Sequence, residues 1–186
     1  MSRSAMSFSK LDREMIVREA VALLNEDGLG GVSLRKVAGR LDVSVSSLYW
    51  HVKDKDALYG LMAGSIFQAC LDAIPQSGHW RQWLHEFGVA LWNAQTSVRD
   101  ARQLIAVTRP EPGMSEIALE KILGPLRSLG LPDDEARTAQ RSVQALVTGW
   151  TTLWSARPGT AASDKDSFIV ALDVLIDGWA AHLAAR

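Results

Sequence analysis

Apolar side chains recur along this chain at three- and four-residue intervals, the period of an α-helix with one buried face, and no segment keeps the strict alternation of a strand. Leu34, Val37, Ala38 and Leu41 fall at i, i+3, i+4 and i+7, which predicts a short helix capped by Ser33. Asp42 tolerates a turn conformation, Val43 can plug inward, and Ser44 offers a second N-cap for a helix over 45–51. Around that second helix only Leu48 and Val52 read as internal. Val45, Ser46, Ser47, Tyr49, Trp50 and His51 are left to meet an outside surface.

The same period predicts a first helix over 10–27, with Ile16, Ala20, Leu23 and Leu24 turned toward the short pair and Gly28, Gly30 and Gly31 ending it. A fourth helix runs from about Asp54 to Ile74. Its stripe Leu58, Leu61, Met62, Ser65, Ile66 and Ala69 continues past the end of the first unit, so one helix would join two. Beyond Pro75, helices are expected over 78–98, 100–107, 115–129, 133–156 and 164–185, with Gly and Pro marking the breaks. The expected fold is all-α: a three-helix unit over 1–54 and a helical bundle over 55–186.

Two short helices around a tight turn, followed by Lys53 and Lys55 where the next helix opens, form the pattern of a helix-turn-helix. The first residues of such a recognition helix meet base edges in double-stranded DNA, while hydroxyls, lysines and helix N-termini hold phosphates. The candidate DNA-contacting residues are Arg35, Val45, Ser46, Ser47, Tyr49, Trp50, His51 and Lys55, and a polar arm over 1–9 brings Arg3 and Lys10 near the backbone. By spacing alone, a surface helical hairpin with solvated charges fits as well.

A resemblance separates the two. The stretch Leu11 to Met62, with Val32-Ser-Leu-Arg-Lys-Val-Ala and Ser47-Leu-Tyr-Trp-His-Val-Lys-Asp-Lys-Asp-Ala-Leu, resembles the N-terminal domain of the TetR family of bacterial transcriptional regulators, and its wording is close to the tetracycline repressor subgroup. Asp42 departs from the glycine usual in that turn. The resemblance implies a homodimeric transcriptional regulator, more often repressor than activator, that binds a near-palindromic operator and is released by a small-molecule inducer. Thr108, Arg109 and Pro110 resemble a segment of the ligand-responsive loop in that subgroup. Its tetracycline site also uses two histidines to hold a magnesium-drug complex, and the aligned positions here are Leu71 and Ile105. Neither binds a hard metal, so no metal and no cofactor is expected.

Trp80, Trp83, Phe87 and Trp92 lie on one predicted helix, and Trp150 and Trp154 can face them across the bundle. Tryptophan is demanding core filler, so these six, with Thr108 and Arg109, are the candidate ligand-binding residues for an apolar or aromatic inducer; packing alone fits the aromatic stripe equally well. In the last two helices, Ala136, Ala139, Val143, Leu146, Val147, Trp150, Leu153 and Trp154 make one wide apolar face and Ile169, Leu172, Ile176, Trp179 and Leu183 another. Pairing two copies would bury the surplus, which predicts a homodimer through these helices.

Composition changes this picture little. The 186 residues are 47% hydrophobic with a net charge of −1, enough apolar content for a real core and too little positive charge for broad affinity to nucleic acid. Residues 1–55 carry nine Lys or Arg against seven Asp or Glu, so the small basic excess lies in the helix-turn-helix unit. The single cysteine, Cys70, reads as a small core residue in a reducing cytoplasm, and no apolar run is expected to cross a membrane. His79, His85 and His182 are scattered, and no phosphate loop, nucleophile elbow, zinc-binding helix or paired-cysteine motif is present, so an enzyme is not expected. The remaining alternative is a helical small-molecule carrier or protein-interaction module with a vestigial DNA-binding domain.

Overall fold

The computed structural model describes residues 11–108, 114–154 and 161–185, with side chains for 11–108, 116–153 and 164–185. Nine α-helices make up the described chain: α1 (Arg13–Asp27), α2 (Leu34–Arg40), α3 (Val45–Tyr49), α4 (Lys55–Asp72), α5 (Trp80–Ser97), α6 (Ala101–Val107), α7 (Met114–Ser128), α8 (Asp133–Trp154) and α9 (Ala161–Ala184). No strand occurs among the described residues. The expected helices are all present, with ends displaced by up to three residues; α3 is shorter than expected and α9 begins earlier.

The first four helices start on side-chain caps. Asp12, Ser33, Ser44 and Asp54 accept hydrogen bonds from the backbone N–H groups of Met15, Lys36, Ser47 and Ala57, each satisfying a donor the helix itself cannot. Between α2 and α3 the chain reverses through Asp42 at φ 54°. The Val43 N–H donates to the Ala38 carbonyl and the Asp42 N–H to the Gly39 carbonyl, the paired bonds of a Schellman turn. Aspartate therefore adopts the left-handed conformation expected at this turn.

Two apolar clusters organise the chain, and α4 belongs to both. The first gathers Ile16, Leu24, Val37, Leu48 and Val52 around Leu58, Met62 and Ile66 of α4. The second packs Cys70 of α4 with α5, α7, α8 and α9 around Phe87, Leu126, Val143 and Phe168. The buried stripe of α4 is Leu58, Met62, Ile66 and Cys70, one residue every four, with Tyr59 beside it. Ser65 and Ala69, expected on that stripe, are exposed, and Leu61 is half-buried. At the centre of the bundle, a Cβ at Gly88 of α5 would meet Leu172 at 2.7 Å and Val143 at 3.2 Å, so this glycine admits α8 and α9 at close range.

The expectation that no apolar run approaches the length of a membrane span is corrected in α9. By length and composition alone, Asp164–Ala184 is long and apolar enough to cross a membrane. Phe168, Leu172 and Ile176 nevertheless pack into the bundle, and Asp173 and Asp177 pair with His85 and Arg81 of α5. Placing its charges on one stripe against α5 leaves the rest of the helix free to be apolar, which makes the window pass that test. Its outer side carries Val170 and Val174, 64% and 67% exposed.

Candidate functional site

The helix-turn-helix over α2 and α3 is held by two buried side chains. Leu48 and Val52 are fully buried against α1 and α4, which turns the rest of α3 and the residues after it outward. Trp50 is 89% exposed and Tyr49 55%, with Ser46 and Arg35 also exposed and Val45 half-buried. A large aromatic residue left so bare normally has a partner. The Ser47 hydroxyl lies 2.8 Å from that of Ser44, so the two form one hydroxyl pair at the start of α3. His51 is half-buried, its carbonyl accepting from Arg13 Nη2 at 3.3 Å.

Lys55 extends its ammonium 5.1 Å from the centroid of the Tyr59 ring, a cation–π contact, and the Tyr59 hydroxyl donates to the Leu29 carbonyl at 3.2 Å. Sequence reasoning missed both Tyr59 and Arg13, since neither falls inside the helix-turn-helix. All eight candidate DNA-contacting residues lie among the described residues. Arg3 and Lys10 lie outside them.

A cavity of about 1190 Å³ lies between α4, α5, α6, α7 and α8, and its lining continues along α4 to Trp50 and His51. Its apolar wall includes Phe67, Phe87, Leu91, Ile105, Leu119 and Ile122, and its polar wall Gln95, Arg102, Thr108, Gln140, Gln144 and Thr148. Of the candidate ligand residues, Phe87 and Thr108 belong to this wall, whereas Trp80, Trp83, Trp92 and Trp150 do not. Trp83 is buried and stacks on Phe87 from behind, with ring centroids 5.4 Å apart. Trp92 stacks on Phe168 at 4.5 Å, and Trp150 meets the same ring edge-on at 6.3 Å. Trp92 and Trp150 thus fill a joint between α5, α8 and α9, where their area counts most, while Trp83 packs along α5 itself. Arg109 and the Trp154 side chain lie outside the described residues.

Sequence reading passed over the apolar Phe67, Leu91, Ile105, Leu119 and Ile122 of this wall and its polar Gln95, Arg102, Gln140 and Gln144. Thr151, buried behind the wall, donates its hydroxyl to Gln95 Oε1 at 2.7 Å. Cys70, also in the wall, is buried, and that burial pushes its thiol up to about 11. His79 caps α5, His85 pairs with Asp173 at 2.7 Å and His182 lies edge-on to Trp179. No group of three potential metal-ligating side chains occurs among the described residues.

The turn between α5 and α6 joins the cavity to the reading head. Asp100, at φ 55°, accepts the Leu29 N–H at 2.9 Å; the Arg99 N–H donates to Asn25 Oδ1 at 3.0 Å, and Arg99 Nη1 to the Glu26 carbonyl at 2.6 Å. The end of α1 is thus tied to the start of α6, whose side chains Arg102 and Ile105 line the cavity.

A helix-turn-helix head continuous with a hollow helical bundle defines a class of one-chain DNA-binding regulators, and comparison with known proteins narrows it. Residues 16–62 match the family of bacterial regulatory proteins described as the tetR family. The chain is 31% identical over 144 residues to the class G tetracycline repressor of Vibrio anguillarum, covering 76% of this chain and 68% of that protein. It is 34% identical over 105 residues to the class D tetracycline repressor of Escherichia coli, a match covering 55% of this chain and 48% of that protein, so the chain matches about half the length of that relative. The structure of a TetR variant from Acinetobacter baumannii AYE in complex with minocycline superposes with a TM-score of 0.74 at 30% identity, over 91% of this chain and 97% of that one. The chain belongs to the TetR family.

Proposed function

We propose that this chain is a transcriptional repressor that works as a homodimer, reading a near-palindromic operator in double-stranded DNA and released by a small-molecule inducer in the cytoplasm. The carrying observation is the arrangement of α3. Its scaffold residues are buried and its aromatic and hydroxyl residues bare, on a head that shares α4 with a large cavity. A vestigial head would have no reason to keep Trp50 exposed. The proposed division of labour is residues 1–54 for DNA and 55–186 for ligand and dimer, with no catalytic role; the relatives are named as repressors.

In this reading, Val45 and Ser46 meet base edges, while Arg35, Ser47, Tyr49, Trp50, His51 and Lys55 hold the backbone or flank the groove. Two heads must stand roughly 34–36 Å apart to enter successive turns of one face of the duplex. A ligand in the cavity would favour positions of α4 and α6 that break this spacing, acting through the shared helix and the Asp100–Leu29 hydrogen bond.

The test is a selection of duplexes from a random library, followed by affinity measurements over a salt series. Lys55→Ala should weaken binding to every sequence and flatten the salt slope by about one unit, whereas Ser46→Ala should reorder the preferred sequences. An affinity for DNA that ignores both sequence and salt would return the chain to the carrier reading.

A further inference from the structure

We infer that the cavity takes a flat polycyclic aromatic acid, bound without a metal ion, whose carboxylate is held by Arg102; the inference rests on the reading of this cavity as the inducer site. The distribution of charge in the wall carries it. Among the described residues of α5 to α8, the wall includes two guanidinium groups, Arg102 and Arg141, and no carboxylate or imidazole. The two acids of the described lining, Asp54 and Asp56, stand at the N-terminal end of α4, where Asp54 caps the helix. Neither arginine forms an ion pair among the described residues; the ion pairs of the fold serve Lys36, Arg40, Arg81, His85, Arg127 and Arg137 instead.

Arg102 is half-buried and pre-aimed. Its Nη1 donates to the Thr151 carbonyl at 2.8 Å, which fixes the plane of the guanidinium and leaves the other N–H donors of the fork. A carboxylate matches two of those donors at once, and such charge-assisted pairs are the strong ones in a partly desolvated site. Arg141 is exposed at the margin of the wall and adds a weaker attraction for the same charge.

The neutral part of the wall fits the rest of such a molecule. Gln140 Nε2 donates to Gln144 Oε1 at 2.7 Å, which leaves Gln140 Oε1 and the Gln144 amide donors without a partner among the described residues. One accepts from a ligand hydroxyl and the other donates to a ligand carbonyl. Phe67, Phe87 and Ile122 supply the apolar surface for fused rings. A hard divalent cation is held by carboxylate oxygens, and the described wall from α5 to α8 has none to offer.

Anthraquinone-2-carboxylate and anthraquinone-2-carboxamide share a shape and differ by one charge. Both are titrated calorimetrically into the full chain at neutral pH with EDTA present. The acid should bind about tenfold more tightly or better, Arg102→Gln should bring the acid-to-amide affinity ratio close to one, and Arg102→Lys should restore part of it. Matched melting curves without ligand establish that the variants fold. Bound acid should also slow maleimide labelling of Cys70, which places it in this cavity. Equal affinity for the two probes, a requirement for added Mg²⁺, or no binding of either at about 1 mM overturns the assignment. Operator binding by the same unliganded preparation reports the regulator reading separately, so loss of one claim is distinguishable from loss of the other.

Discussion

Asp42 has no Cβ-free alternative to the left-handed conformation its turn demands. The Schellman bonds that end α2 need positive φ at this residue, and an L side chain with a Cβ costs roughly 1–2 kcal/mol there, less for Asp than for bulkier residues. Asp42→Gly should therefore raise the unfolding free energy by about 0.5–1 kcal/mol, and Asp42→Val should lower it by more than that. Urea midpoints of the two variants check the signs. Cys70 offers a test in pH. Its thiol is pushed up to about 11 because burial disfavours the thiolate, so the unfolded chain gives up this proton at lower pH than the folded one. The neutral thiol's contribution is intact below pH 9 and is lost as pH rises through about 11. Alkaline unfolding followed for wild type and Cys70→Ala should show a shallower loss in the variant across that window.

Among the elements, the α5–α6 turn has the most to do for its size. It ties the end of α1 through Asp100, Arg99 and Asn25, and a Cβ at Gly28 would meet Asp100 Oδ2 at 2.7 Å with φ already at +73°. Gly28→Ala should thus pry the tie open from one side and Asp100→Ala cut it from the other. If the tie carries the ligand signal, both variants bind operator and ligand separately but release DNA over a smaller range of ligand concentration; an unchanged release curve removes the turn from the pathway. This tie illustrates which elements the sequence discloses and which it hides. Helix positions were legible because caps such as Ser33, Ser44 and Asp54 sit one residue before apolar stripes, and those signals are local. The outward face of α3 was legible for the same reason, since five residues with one buried leucine leave little choice. Which side of α4 or α5 faces a gap is set by neighbours far along the chain. Leu58, Met62, Ile66 and Cys70 share a face that a three-and-four reading blurs with Ser65 and Ala69. On α5 the bulky Trp83 and Trp92 belong to packed joints, while the cavity receives Gln95, whose polarity looks like exposure in a one-dimensional pattern.

For the whole molecule, the proposed dimer makes the distance between two heads the decisive quantity, and the exposed faces of α8 and α9 are the candidates for fixing it. Leu153 of α8 and Val170 and Val174 of α9 are each more than 60% exposed, while the opposite sides of both helices are spent on Val143, Val147, Phe168 and Leu172 inside the bundle. Such a face on a long helix pair suits a two-fold contact in which each copy presents the same patch to the other. Val174→Glu would set two carboxylates in that contact, where desolvation and mutual repulsion oppose each other's burial. The variant should sediment as a monomer with unchanged helical content. Each head would then find its half-site independently, without the millimolar effective concentration that tethering supplies, so affinity for the full inverted repeat should fall by about 100-fold or more. Affinity for an isolated half-site should stay as it was, because α3 and its supports are untouched. A Val174→Glu chain that remains dimeric and holds the full repeat would move the interface elsewhere on the bundle.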